Sequence, residues 1–357
     1  MTIETYWPDA ANRADFARRA EEAGRANPAF WNGLPTLPER PLDGHKGTFG
    51  TALGVGGSRG MSGAIALTGS AALVAGAGLT RLFVPESILE TVAGFAREYT
   101  TLPGACDASG RLTSTALDAI LAEAANATAV AVGPGFGRSA EATRLVVELF
   151  FELERPAVFD ADALNALAEA GVFDEGTKRF AGRQPRGARI LTPHPGEFAR
   201  LTGAKPSGDR SARIDAALDF ATRAARGWNG EGGKLQALQN RELKSGATGG
   251  DLAFVVALKG ASTVVADGCG AVFVNETGNP NLATGGSGDV LTGIVVGLLA
   301  QGAAPLDATR SAVALHGLAA DLRSTLCSRG AVASDVVRFL PVAFDFYEAA
   351  QEAARRF

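Results

Sequence analysis

The sequence predicts an α/β protein with a doubly wound, mostly parallel β-sheet and helices on both faces. Three observations carry that prediction. Short apolar runs free of polar interruption recur from residue 45 onward, as strands buried on both faces require. Each run ends in a glycine- or proline-bearing loop that leads into a helical segment, which is the rhythm of βα units. The unusual motifs fall in those loops, at the carboxyl ends of the strands, where open parallel sheets bind their ligands.

Residues 1–44 are polar, with a short helix expected over 10–25. An extended arm follows, broken by Pro28, Pro35, Pro38 and Pro41 and expected to pack on the surface or on a neighbouring subunit. A strand over 51–55 then runs through GGSRGMSGA into an alanine-rich helix over 64–77. Strands follow over 79–84 and 128–132, the second ending in GPGFG. A strand over 156–159 enters DADALNAL, and one over 189–191 enters TPHPGEFARLTG. Residues 227–250, GWNGEGGKLQALQNRELKSGATGG, interrupt the rhythm and read as a surface loop. Consecutive strands are expected over 252–258, 262–266 and 271–274, with a tight Asp267–Gly268 turn between the last two. The final third is helical, over 290–300, 306–326 and 334–357. No repeat, low-complexity tract or heptad seam divides the chain. The expected organisation is therefore an N-terminal arm, 1–44, and a single domain, 45–357, carrying the 227–250 insert.

Composition excludes several classes of function. The 357 residues are 46% hydrophobic and 20% charged, the make-up of a globular chain able to bury a sizeable core. A net charge of −4 leaves no basic footprint for nucleic acid. No window approaches the roughly 18 consecutive apolar residues that cross a bilayer. The N-terminus lacks a basic region followed by an apolar core, so no secretory signal is read. Cys106, Cys269 and Cys327 are too scattered for a metal spacing or a disulfide framework, which fits a reducing cytoplasm. Only 3 histidines argue against a histidine-rich metal centre.

The chemistry gathers around residues 276–302, ETGNPNLATGGSGDVLTGIVVGLLAQG. Gly285, Gly286 and Gly288 let the backbone turn sharply and approach a ligand closely. The apolar run that follows is too long for a strand and reads as a buried helix. Its first N–H groups lack intrahelical partners and lie at the positive end of the dipole, a ready phosphate site. Asp289 at that end is either a first-turn cap or a base taking a proton from a hydroxyl that attacks a phosphoryl group.

The other loops supply candidates beside it. GGSRGMSGA and GPGFG are either ordinary βα turns or binding loops. Asp160 and Asp162 either orient Mg²⁺ together through water, or Asp162 caps the following helix. In TPHPGE, two prolines preorganise a loop holding His194, a candidate donor to a substrate amide or phosphate, and Glu197, a candidate carboxylate reaching magnesium through water. In KGAST, Lys259 supplies positive charge, and Gly260, Ala261, Ser262 and Thr263 leave backbone amides open to phosphate oxygens. The alternative there is a strand-to-strand turn with an exposed lysine.

Assembled, these loops make the chain resemble the ADP/ATP-dependent NAD(P)H-hydrate dehydratases of the ribokinase-like superfamily. The resemblance rests on HKGTFG at 45–50, GGSRGMSGAIALTGSAALVAGAGL at 56–79, VGPGFGR at 132–138 and FDADALNAL at 159–167. It continues in TPHPGEFARLTG at 192–203, LKGASTVVADG at 258–268, NPNLATGGSGDVLTGI at 279–294 and HGLAADL at 316–322. The glycine-Asp motif alone indicates a ribokinase-like phosphotransferase; HKG and TPHPGE narrow it to the dehydratase. Thr48 stands where the family commonly carries an acidic residue.

The resemblance implies a metabolite-repair lyase. A hydroxyl on the reduced nicotinamide ring of the S hydrate (NADHX or NADPHX) is phosphorylated with ADP, or less typically ATP, and Mg²⁺. Phosphate is then eliminated to restore NAD(P)H. It also implies roles: Asp289 as base against the hydrate's hydroxyl, and Gly286 and Gly288 stabilising the transferring phosphoryl group. Ala64, Gly135 and His194 would contact the hydrate. Lys259, Gly260, Ala261, Ser262, Thr263 and Gly288 would line the nucleotide, and Glu197 would be associated with magnesium. A homo-oligomer, a cytoplasmic location and a separate NAD(P)HX epimerase complete the expectation, since 44 residues are too few for an epimerase domain. The rival readings are a ribokinase-like kinase of a small alcohol, with the same base and no elimination, and a catalytically silent nucleotide sensor.

Overall fold

The strand–loop–helix rhythm builds one nine-stranded sheet in a computed structural model that describes residues 10–174, 180, 182–229 and 253–356. The chain opens with α1 (Ala10–Ala26) and α2 (Pro28–Asn32), then β1 (Thr51–Val55), α3 (Ser62–Val74), β2 (Leu79–Pro85) and α4 (Leu89–Ala93). It continues through β3 (Thr100–Gly104), α5 (Leu117–Ala125), β4 (Ala129–Val132), α6 (Ala140–Glu152), β5 (Ala157–Phe159) and α7 (Asp162–Ala170). Next come β6 (Arg189–Leu191), α8 (Pro195–Thr202), α9 (Arg210–Asn229), β7 (Phe254–Leu258), β8 (Val264–Asp267) and β9 (Val272–Val274). Three helices close it: α10 (Ser287–Ala300), α11 (Pro305–Ser324) and α12 (Ala333–Ala354).

The strand order is β3-β2-β1-β4-β5-β6-β7-β8-β9. Neighbours from β3 through β7 pair in parallel, and β7-β8 and β8-β9 pair antiparallel. The doubly wound, mostly parallel class expected from the sequence is therefore the fold observed. The antiparallel edge follows from its short connections, which can return a chain but cannot cross over a sheet.

Alternation along each strand divides the core. Ala52, Ala129, Ala131, Val158, Val255 and Ala257 face one layer, with α10, α11 and α12. Leu53, Val130, Val132, Phe159, Phe254 and Val256 face the other, with α6, α7 and α9. Small residues on the first face let α10 lie close against the sheet. Gly293 and Gly297 let it lie equally close to α3: a Cβ on Gly293 would meet Ala71 Cβ at 2.5 Å, and one on Gly297 would meet the Ala72 carbonyl oxygen at 2.7 Å. That contact sets where the first turn of α10 ends up, with Thr68 of α3 donating from Oγ1 to the Asp289 carbonyl at 3.1 Å.

Three local readings change. The helix expected to start at 290 begins at Ser287, which puts Asp289 inside its first turn. The expected two-residue turn at Asp267–Gly268 is longer: Asp267 N–H reaches the Ala271 carbonyl, and Asp267 Oδ1 accepts from the amides of Cys269 and Ala271. β3, TTLPG, gave no apolar signal, and its Pro103 is tolerated because the strand is an edge. The N-terminal arm packs on α12, where Gln351 Nε2 donates to the carbonyls of Trp31, Leu34 and Pro35. Apart from its first three residues, the insert 227–250 lies outside the described residues.

Candidate active site

The site starts from the turn into α10. Gly286 is the N-cap and sits at φ 87°, a left-handed conformation that favours glycine. Ser287 N–H reaches back to the Thr284 carbonyl at 3.3 Å and Val290 N–H to the Gly286 carbonyl at 3.1 Å, whereas the amides of Gly288 and Asp289 between them have no backbone acceptor among the described residues. Ser287 is held from behind by His316 on α11, whose Nε2 lies 3.0 Å from its carbonyl and 3.2 Å from its hydroxyl. Burial pushes the His316 pKa down to about 4, so the brace is a neutral imidazole with its proton on Nε2. The result is a rigid pair of outward amides at a helix N-terminus.

Asp289 projects beside them with no hydrogen-bond donor on its carboxylate among the described residues. Burial, with the Asp160 and Asp162 carboxylates adding to it and Lys259 opposing, lifts its pKa to about 7. A carboxyl group poised there can exchange a proton near neutrality, as a general base must.

Lys259 enters from the end of β7, its amide bonded to the Pro193 carbonyl at 2.8 Å. Its Nζ donates to Asp160 Oδ1 at 2.7 Å and lies 3.9 Å from Glu197 Oε2. Burial on its own would lower the Lys259 pKa; Asp160, Glu197 and Asp289 outweigh it, so the group is held as ammonium above its ordinary value. A Cβ on Gly288 would sit 3.2 Å from this Nζ, so the ammonium and the free amides share one cradle. Lys259 is therefore not the exposed turn lysine of the alternative reading.

Asp160 and Asp162 separate in role. Asp160, 1% exposed, spends Oδ1 on Lys259 and Oδ2 on Thr292 Oγ1 at 2.7 Å. Asp162 accepts from the Gly137 amide at 2.9 Å and so ties α7 to the GPGFG loop. His194 is the N-cap of α8. Its Nδ1 accepts from the amides of Gly196 and Glu197, and the Glu197 carboxylate accepts the His194 amide at 2.8 Å. With Nδ1 so engaged, the ring is neutral and carries its proton on Nε2. Its pKa is lowered by burial and by the charges of Lys259 and Arg200. Glu197 is 5% exposed, and burial lifts its pKa to about 7 against the pull of Lys259.

Gly135, at φ 62°, lets the two glycine loops abut: a Cβ there would meet the Met61 carbonyl oxygen at 2.5 Å and Ala64 Cβ at 3.0 Å. Ala64 in turn precedes Thr68 by one turn of α3, and the Thr68 hydroxyl bonds both the Ala64 and Asp289 carbonyls. Gly260, Ala261 and Ser262 form an exposed turn, with Thr263 half-buried. Arg213 of α9 holds that turn by donating to the carbonyls of Leu258, Lys259 and Ala261. Among the described residues, no three His, Cys, Asp or Glu side chains group so as to hold a metal ion by themselves. A cavity of about 620 Å³ lies elsewhere, lined by Arg138, Ser139, Ala140, Thr143, Arg144 and Glu169, none of them a predicted site residue.

Sequence reasoning missed Thr292, Thr68 and Arg213. Thr292 carried one faint signal, a hydroxyl inside an otherwise apolar run. Thr68 and Arg213 carried none.

Comparison with known proteins gives this geometry its context. The family model described as NAD(P)H-hydrate dehydratase matches residues 52–227 and 234–341. The chain belongs to the NAD(P)H-hydrate dehydratase family. Among its members, the bifunctional NAD(P)H-hydrate repair enzyme Nnr of Moorella thermoacetica is 40% identical over 85% of this chain and 51% of its own length. The chain thus spans about half the length of that relative. The ADP-dependent (S)-NAD(P)H-hydrate dehydratase of Neisseria meningitidis serogroup B is 38% identical over 79% of this chain and 80% of its own. The ADP/ATP-dependent NAD(P)H-hydrate dehydratase of Bacillus subtilis, co-crystallised with ATP/Mg²⁺, superposes with a TM-score of 0.65 at 29% identity. That superposition covers 92% of this chain and 97% of the other.

Proposed function

We propose that the protein dehydrates (6S)-NAD(P)H-hydrate back to NAD(P)H, with ADP as its preferred phosphoryl donor and ATP as the alternative. The observation that carries this reading is Asp289: a carboxyl group with a pKa near 7, free of hydrogen-bond donors, beside two unpartnered amides and the Lys259 ammonium. Relatives named as ADP-dependent (S)-NAD(P)H-hydrate dehydratases, at 38% and 32% identity, support the substrate class.

In this mechanism, Asp289 takes the proton of the ring hydroxyl as its oxygen attacks the terminal phosphorus of the nucleotide. The amides of Gly288 and Asp289, with Lys259, receive the charge that builds on the phosphoryl oxygens. Gly286 supplies the left-handed corner that aims those amides. Phosphorylation turns hydroxide, a poor leaving group, into phosphate, and its departure with a ring proton restores the dihydronicotinamide. His194, whose Nε2 lies 3.4 Å from Glu197 Oε1, would turn that N–H to the hydrate, and Ala64 and Gly135 line the floor where two glycine loops meet. Lys259, Gly260, Ala261, Ser262 and Thr263 follow the nucleotide. Mg²⁺ fits as an ion carried by the nucleotide phosphates, because it keeps much of its water and the described residues build no cage of their own. Bound there, with Glu197 reached through water, it would neutralise phosphate charge.

A homo-oligomer in the cytoplasm, fed the S epimer by an NAD(P)HX epimerase, completes the proposal. The test is incubation with S-NADHX and either ADP or ATP plus Mg²⁺, following the near-ultraviolet absorbance of the restored dihydronicotinamide. Accumulation of a stable phospho-ester without that absorbance would make the protein a small-alcohol kinase. Binding without turnover would make it a sensor.

A further inference from the structure

Asp160 lies behind the cradle, at the end of β5, and touches none of the free amides itself. Its backbone is tied on both sides: its amide donates to the Val132 carbonyl at 3.1 Å, and its carbonyl accepts from Ala163 at 3.1 Å. Its side chain is tied as well. Oδ1 takes the Lys259 ammonium and Oδ2 takes the Thr292 hydroxyl, both at 2.7 Å. Thr292 is three residues beyond Asp289 on α10 and so shares its helix face. One carboxylate therefore joins the end of β5, the end of β7 and the first turns of α10. The ammonium it holds has three protons. One goes to Asp160, Glu197 stands at the long distance of 3.9 Å, and the remainder is available beside Gly288.

We propose that Asp160 is the positioning residue of the phosphate cradle. By gripping Lys259 and Thr292 at once, it sets the distance between the ammonium and the free amides of Gly288 and Asp289, so that a terminal phosphate meets both sets of donors together. This rests on the nucleotide-dependent reading above. The physical reason is preorganisation. A lysine side chain free to swing would lose much of its entropy on meeting phosphate, and one already held by a buried carboxylate loses little. The same negative charge opposes ionisation of Asp289, alongside Asp162 and against Lys259, the charged groups that face Asp289 from α7 and β7.

The test uses the full-length protein and the variants Asp160→Asn, Thr292→Val and Thr292→Ser, with affinities for ADP and adenosine measured directly in the absence of hydrate. Asparagine keeps the shape and can still bond both partners, accepting from Lys259 and donating to Thr292, but it lacks the charge. The expected result is that Asp160→Asn weakens ADP binding by roughly tenfold or more, the equivalent of one charge-assisted bond, and leaves adenosine binding unchanged. The acid limb of its pH–rate profile should also move to lower pH. Thr292→Val should move ADP affinity the same way by less, and Thr292→Ser should recover most of that loss. If Asp160→Asn is too unstable to assay, the Thr292 pair carries the comparison. Equal losses for ADP and adenosine, or a fall in thermal stability with ADP affinity intact, would overturn the proposal. So would an effect that vanishes at saturating Mg²⁺, since Asp160 would then serve the metal. Because ADP binding is read without the hydrate, a wild-type protein inert toward NADHX would refute the proposed function and leave this inference standing.

Discussion

Asp289 and Asp160 both lie within the electrostatic reach of Lys259, yet one carboxylate has no hydrogen-bond donor and the other has two. Asp160 is closed off at 1% exposure, with an ammonium and a hydroxyl on its oxygens. Asp289 meets burial with no hydrogen bond and only the opposing charge of Lys259, and burial lifts its pKa to about 7. Residue type and neighbourhood are shared; the allocation of donors is what differs. A carboxylate with its acceptors filled holds structure in place, whereas one left bare at a helix N-terminus is free to take a proton.

The comparison breaks most sharply at Asp289. Asp289→Asn should lower turnover at least about 10²-fold, the loss expected for a general base, and leave ADP affinity nearly unchanged. Retained turnover would strip Asp289 of that role. Lys259→Met should weaken ADP binding and also cost stability, because it leaves Asp160 buried without its ion partner. Chemical denaturation should show a loss of about 3–5 kcal/mol, partly regained when Asp160→Asn is added. A single variant as stable as wild type would mean that the pair is not buried as described.

Two smaller effects sharpen the contrast through pH. The wild-type kcat/KM should rise with pH through about 7, as Asp289 gives up its proton. Stability should move the other way. The unfolded chain releases this proton near pH 4 and the folded protein keeps it up to about pH 7, so the stabilising contribution of the proton is lost as the pH climbs between those values. Asp289→Asn should therefore be more stable than wild type at pH 8, by about 1–3 kcal/mol after allowance for partial exposure, and close to it at pH 4. Melting curves at the two pH values decide this. The smallest effect belongs to His194. His194→Ala removes the cap of α8 and should cost about 1 kcal/mol, with a raised KM for the hydrate. His194→Asn should restore the cap without restoring KM; recovery of both would reduce His194 to a cap.

Local pattern made much of the fold readable. Uninterrupted apolar runs marked the buried strands, and the glycine-to-apolar transition marked the start of α10 to within three residues. β3 escaped because an edge strand with Pro103 and Gly104 has no apolar face to display. The Asp160–Lys259 and Asp160–Thr292 bonds escaped for another reason. They join residues 99 and 132 positions apart, and no local periodicity encodes which loop ends will meet.

The sequence by itself determined the α/β class, the loops at the strand ends and the carboxylate placed at a glycine-rich helix start, because each follows from side-chain size, spacing and backbone freedom within a few residues. Tertiary structure alone decided which aspartate would be saturated and which left bare. It also decided that Lys259 turns inward to an ion pair, and that His194 spends one nitrogen on a cap. Those outcomes depend on burial and on distances across the sheet, which exist only once the sheet has set the ends of β5, β6 and β7 side by side and α10 has docked against α3 through Gly293 and Gly297.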